Sequence, residues 1–242
     1  MGTLIEIATP DGPAEAYLTG EEGRPGVLFY MDAIGLRPRI EEMADRIASW
    51  GYVVLAPNVF HRAGRAADLA PTEDLHDPGA REAFFKGAMT RVRALTPDLS
   101  EPDARLWVET LLQHASAPIG VTGYCMGARL ALRTAGLFPG VVAACGAFHG
   151  GGLVTDDPAS PHLVAAQAAA EFVFGHADGD RSMPPEAVAT LGRTLEEAGL
   201  TVTNEVYAGA AHGYSMADTG VYDEAATERH FAELEALFAR TL

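Results

Sequence analysis

Cys125 sits in Gly123-Tyr124-Cys125-Met126-Gly127, a thiol with glycines two positions before and two after it. That spacing suits a strand-to-helix elbow, where the central residue takes a strained backbone conformation and the glycines let strand and helix approach closely. A thiol is more acidic than a hydroxyl and leaves readily from a thioester, so sulfur at this position points to nucleophilic acyl chemistry. Such a nucleophile needs an imidazole to take its proton and an acid to orient the imidazole, in the chain order nucleophile, acid, histidine. Asp178, in Gly175-His176-Ala177-Asp178, and His212, in Ala211-His212-Gly213-Tyr214, fill these places. Asp180 competes for the acid role. Asp178 is preferred because its spacing from Gly175 puts it shortly past a strand, where the orienting carboxylate is needed. The second cysteine, Cys145, lies in the apolar run Val141-Val142-Ala143-Ala144-Cys145 and reads as a packed core residue.

These groups must be held by a sheet. Residues 4–8 and 14–18 read as a hairpin closed by Pro10-Asp11-Gly12, and the apolar runs 26–30, 52–56, 119–122, 141–147, 171–175 and 201–207 read as buried strands. Helical spacing covers 40–50, 80–93, 102–114, 125–135, 185–198 and 223–242, with residues 150–161 as a Gly- and Pro-rich loop. Strands that alternate with helices predict an α/β fold with a mainly parallel central sheet, helices on both faces, and reactive loops at the carboxyl ends of the strands. One domain over residues 1–242 accommodates the pattern.

Composition narrows the partners. A formal charge of −16 repels nucleic acid and anionic membrane surfaces, so neither is expected to bind. Two cysteines are too few for a disulfide framework or a structural zinc site, and no metal is expected. The opening residues carry Glu6 and Asp11 where a targeting segment would be basic, which suggests a cytoplasmic protein. The residues carry no signal for an oligomeric state.

With the elbow, the acid loop and the histidine loop in view, the chain resembles the dienelactone hydrolases, the carboxymethylenebutenolidases of the α/β-hydrolase superfamily. Further marks of the resemblance are Asp32-Ala33-Ile34-Gly35 after the first buried strand and Pro184 after the acid loop. It implies an α/β-hydrolase fold and a cofactor-free enzyme that opens lactones or cleaves small carboxylic esters through a cysteine acyl-enzyme. It also implies a role for Asp32, at the place of a family glutamate, in tuning the Cys125 thiol. The oxyanion hole is expected from the backbone N–H groups of Met126 and Ala33. Arg81, in Arg81-Glu82-Ala83-Phe84-Phe85, stands at the place of a substrate-binding arginine. Met216 replaces a second one four positions after the histidine, leaving that side of the pocket apolar, and Tyr124 beside the nucleophile is a further candidate for substrate contact. The competing reading is a non-catalytic or redox-responsive ligand-binding protein on the same scaffold, in which an accessible Cys125 is oxidised instead of acylated.

Overall fold

The computed structural model describes residues 2–242. The chain forms β1 (Thr3–Thr9), β2 (Gly12–Thr19), β3 (Pro25–Tyr30), α1 (Pro38–Ala48), β4 (Val53–Pro57), α2 (Ala66–Leu69), α3 (Pro78–Ala94) and α4 (Pro97–Leu111). It continues with β5 (Ser116–Tyr124), α5 (Gly127–Leu137), β6 (Val142–Phe148), α6 (Pro161–Ala165), β7 (Glu171–Ala177), α7 (Pro185–Glu197), β8 (Val202–Tyr207) and α8 (Glu224–Thr241). All eight strands belong to one sheet in the order β1-β2-β4-β3-β5-β6-β7-β8. β1 and β2 are antiparallel to their neighbours, and β3 through β8 pair in parallel.

Burial on both faces explains the continuous apolar runs. In β5 a Cβ on Gly120 would meet Phe238 of α8, whereas a Cβ on Gly123 would meet the backbone of α5. The two positions have opposite parity along the strand, so α5 and α8 cover opposite faces. α1 lies with α8, joined by the Arg46–Glu228 ion pair and the edge contact of Trp50 with Phe231. α4, α5, α6 and α7 touch one another in sequence as the other layer.

After β3 the chain turns outward to β4, and it returns on the other side of β3 as β5. The order reverses between these strands, so the loops leaving β3 and β5 diverge and open a crevice at their carboxyl ends, as expected of a doubly wound sheet. Asp32-Ala33 follows β3 and Cys125 follows β5.

The differences from the sequence reading concern element ends and two short helices, α2 and α6, that it did not expect. α4 begins one turn before the expected Pro102, because Pro97 serves as well in a first turn and Pro102 is tolerated inside the helix. A short helix, α6, opens on Pro161 at the edge of the expected loop. β7 runs two residues past Gly175, to Ala177. Among the described residues, no helix is long and apolar enough to cross a membrane.

Candidate active site

Cys125 adopts φ 55°, a left-handed conformation that costs a residue with a side chain roughly 1–2 kcal/mol. The surrounding backbone holds it there. Its N–H donates to the Phe148 carbonyl of β6 (3.1 Å), and its carbonyl accepts from Ala128 (3.3 Å) and Gly151 (3.4 Å). The flanking glycines are needed for contact: a Cβ on Gly123 would stand 2.2 Å from the Gly127 carbonyl oxygen, and one on Gly127 would stand 2.4 Å from that of Tyr30. The elbow expected from the sequence is therefore present, with sulfur at its apex.

His212 lies in the loop after β8, and its Nε2 is 3.0 Å from Cys125 Sγ. Its Nδ1 is 2.6 Å from Asp180 Oδ2. Asp180, not Asp178, is the acid that meets the imidazole, and this corrects the sequence reading. Because β7 extends to Ala177, Asp178 still belongs to the sheet end: its N–H donates to the Ala210 carbonyl (2.8 Å) and its Oδ2 accepts from Gly209 N–H (2.9 Å). Gly179, at φ 63°, then reverses the chain and delivers Asp180 to the imidazole. The other oxygen of Asp180 accepts from the Ser182 amide (2.8 Å) and hydroxyl (2.7 Å).

The electrostatics follow this geometry. Burial disfavours the charged forms of both groups, but mutual contact prevails. Contact with Cys125 and with the Asp180 carboxylate raises His212 to about 10, and His212 with Ser182 holds Asp180 at about 2. His212 therefore carries its proton at neutral pH, with the Asp180 carboxylate on one side and Cys125 Sγ on the other.

A second histidine, placed by the sequence only in a loop, packs behind the first. His149 ends the β6 run at φ 38°, with its Nε2 2.7 Å from Ser215 Oγ and its ring edge-on to His212 at 5.5 Å between centroids. Burial, with His212 and His230 nearby, keeps it well below the usual histidine range and hence neutral.

The crevice above Cys125 is a cavity of about 850 Å³. Its walls are largely apolar, from Ile34, Leu75, Phe85, Met89, Met126 and Met216. Ala33 also faces it. Neither the Met126 nor the Ala33 amide donates to a protein acceptor among the described residues. Arg81 lines the cavity with its guanidinium over the Phe85 ring (5.0 Å to the centroid), and its Nε is buried without a partner. Arg129, on the first turn of α5 and not singled out from the sequence, lines the opposite wall. Burial holds Arg129 below its usual range, with the Cys125 charge opposing, and among the described residues it forms no salt bridge.

Two further expectations are corrected. Asp32 borders the cavity, but its carboxylate is occupied: Oδ1 accepts from Arg37 Nη1 (2.7 Å) and Ile34 N–H (3.1 Å), and Oδ2 from Arg37 Nη2 (3.3 Å). A buried guanidinium only five residues on outcompetes a thiol, and among the described residues Asp32 forms no bond to Cys125. Tyr124 does not reach the cavity. Its ring is fully buried, stacked on Phe29 (4.9 Å) and Phe148 (5.7 Å), with its hydroxyl 3.3 Å from His230 Nε2. The strand's alternation turns Tyr124 inward where Cys125 turns out. Met216 does line the cavity, and its Sδ accepts from Arg37 Nη2 (3.4 Å). Among the described residues no group of three or more His, Cys, Asp or Glu side chains is disposed to hold a metal ion.

The family model of the dienelactone hydrolase family matches residues 14–242. The chain belongs to that family. Its relatives include the carboxymethylenebutenolidase of Rhodococcus opacus, 30% identical over 192 residues covering 78% of this chain and 69% of that protein. A dienelactone hydrolase of Anabaena variabilis superposes with a TM-score of 0.61 at 17% identity, over 100% of this chain and 98% of that one. A dienelactone hydrolase-like promiscuous phosphotriesterase from metagenomic libraries gives 0.72 at 17% identity, over 99% and 98% of the two chains. The fold is that of the α/β-hydrolases, and the enzyme class of this dienelactone hydrolase family member is carboxylic ester or lactone hydrolase.

Proposed function

We propose that this protein hydrolyses lactones or carboxylic esters through a covalent thioester on Cys125. The observation that carries the reading is the continuous chain of short contacts Cys125 Sγ–His212 Nε2–Asp180 at a strained elbow that opens into an apolar cavity. The thiolate attacks the substrate carbonyl carbon, and the π electrons move to oxygen, where the free N–H groups of Met126 and Ala33 receive the negative charge. As the carbon–oxygen bond to the leaving group breaks, His212 gives its Nε2 proton to the departing oxygen. In a lactone that oxygen remains attached as the new hydroxyl. The neutral imidazole then takes a proton from water as the water attacks the thioester, and the tetrahedral intermediate expels the thiolate beside a reprotonated His212. Asp180 orients the His212 ring throughout and stabilises it whenever it is protonated.

Arg81 and Arg129 bear on the substrate. Two cations lining a largely apolar cavity, neither paired with a carboxylate among the described residues, favour a substrate that brings an anionic group of its own. The two guanidinium groups would offset, at the site, the unfavourable long-range field that a protein of charge −16 presents to such an anion.

The test is turnover of small activated esters by wild type and Cys125→Ala, with mass spectrometry of the wild type during turnover. Loss of activity in the variant and an acyl adduct on Cys125 that forms and decays are expected. Full activity in Cys125→Ala removes the nucleophile assignment. An oxidised Cys125 with no acyl adduct favours the redox-responsive alternative.

A further inference from the structure

The turn that carries the proposed oxyanion donor is held by an arginine that pairs with no carboxylate among the described residues. Every polar backbone group of Ala33, Ile34 and Gly35 but one has a partner within the protein. Ile34 N–H donates to Asp32 Oδ1 (3.1 Å), Gly35 N–H to the Asp32 carbonyl (3.3 Å), and the Gly35 carbonyl accepts from Arg37 Nη1 (3.0 Å). The carbonyls of Ala33 and Ile34 both accept from one nitrogen, Arg91 Nη2, at 3.1 and 3.0 Å. The Ala33 N–H, beside the cavity, is the group left over.

Arg91 reaches this turn from α3, far along the chain. Its guanidinium lies over Phe60 (5.0 Å) and Phe84 (5.5 Å), its Nη1 donates to the Leu69 carbonyl (3.2 Å), and among the described residues no carboxylate pairs with it. A half-buried cation whose hydrogen bonds all go to backbone carbonyls, with its Nε buried and without a partner among the described residues, loses solvation that two aromatic contacts only partly replace. We propose that Arg91 is a positioning residue for the oxyanion hole. Its Nη2 binds two successive carbonyls of the turn while Nη1 is fixed on Leu69, which holds the preceding peptide with the Ala33 N–H toward the cavity, and its charge adds positive potential where the substrate oxygen becomes negative. Arg37 anchors the same turn from behind through Asp32 and Gly35, so Arg91 sets the orientation that Arg37 leaves free.

The inference rests on the ester-hydrolase reading, and the experiment separates the two. Wild-type protein is first assayed on an activated ester; no turnover there defeats the hydrolase reading before any variant is made. Arg91→Met and Arg91→Lys are then compared with wild type in two reactions: ester turnover, which forms an oxyanion, and alkylation of Cys125 by iodoacetamide, which needs the thiolate but forms none. Turnover is expected to fall about 10- to 100-fold with KM within about twofold, because a misaimed donor loses part of the effect of a deleted one. Alkylation is expected to proceed at the wild-type rate. Lysine keeps the charge but cannot grip both carbonyls and the Leu69 carbonyl together, so Arg91→Lys should also lose turnover, and it carries the test if the methionine variant does not fold. Wild-type turnover in Arg91→Lys, or equal losses of turnover and alkylation, overturns the proposal.

Discussion

Replacing Asp180 by Asn removes the negative charge from the imidazole and keeps the size of the side chain. In the folded protein this carboxyl sits at about 2 against an ordinary 3.8, although burial pushes it the other way. The difference corresponds to about 2 kcal/mol of preference for the charged form, or roughly 30-fold in an equilibrium. That preference is lent mainly by His212 and Ser182, so the imidazolium beside Cys125 loses comparable support in the variant. The kcat/KM of Asp180→Asn for an activated ester should therefore fall by at least about 30-fold, and further if the imidazole also loses its orientation. The onset of Cys125 alkylation should move to higher pH, because without Asp180 the thiol–imidazole pair shares its proton less readily. Stability gives an independent reading. A carboxylate with a depressed folded value contributes stability that is complete above the ordinary value and is lost as pH falls toward the folded one. Wild type should accordingly lose about 2 kcal/mol between about pH 4 and pH 2 that the variant does not lose. Asp178→Asn is the control, since Asp178 touches only the Gly209 and Ala210 backbone. Its activity should stay within about twofold of wild type on the basis that it lies outside the hydrogen-bond chain. An Asp178→Asn loss as large as that of Asp180→Asn, or an unimpaired Asp180→Asn, refutes the assignment.

Two further outcomes follow from the geometry. Gly123→Ala places a methyl group 2.2 Å from a backbone oxygen of the elbow helix and should cost about 2–4 kcal/mol in urea unfolding. Gly87→Ala, in mid-α3 with nothing within 4 Å of the new methyl, should gain about 0.5–1 kcal/mol; the same sign for both would show that contact at the elbow is not what matters. Arg129→Met should lower kcat/KM for an ester bearing a carboxylate by about tenfold or more while leaving its neutral amide-capped counterpart within about twofold, and Arg81→Met should show the same contrast. A variant that loses both substrates equally has lost something other than anion recognition.

Cys125 and His212 were readable because each stands in a local setting that physics restricts: glycines where a helix and a strand touch, and a histidine just past the last strand. The alternation of apolar runs with helical spacing likewise sufficed for the parallel sheet, since each strand buried on both faces must be apolar throughout. The choice between Asp178 and Asp180 was not readable. It turned on two extra residues of strand pairing at the end of β7 and one left-handed glycine, and neither alters the composition of the loop. Asp32 was placed correctly at the cavity edge, yet its partner is Arg37, a residue that looks from the sequence like an ordinary charge at the start of a helix.

The chain's own residues thus determined a candidate nucleophile, the imidazole proposed as its base, and a sheet to present them, because backbone strain, glycine contacts and apolar periodicity act over a few neighbouring positions. Tertiary structure alone decided which carboxylate meets the imidazole, that Arg129 joins Arg81 at the cavity, and that Arg91 binds the carbonyls of Ala33 and Ile34. Those choices depend on distances between groups 32 and 58 positions apart along the chain. An arginine on a helix has the same local signature whether it meets water, a substrate or the backbone of a distant loop.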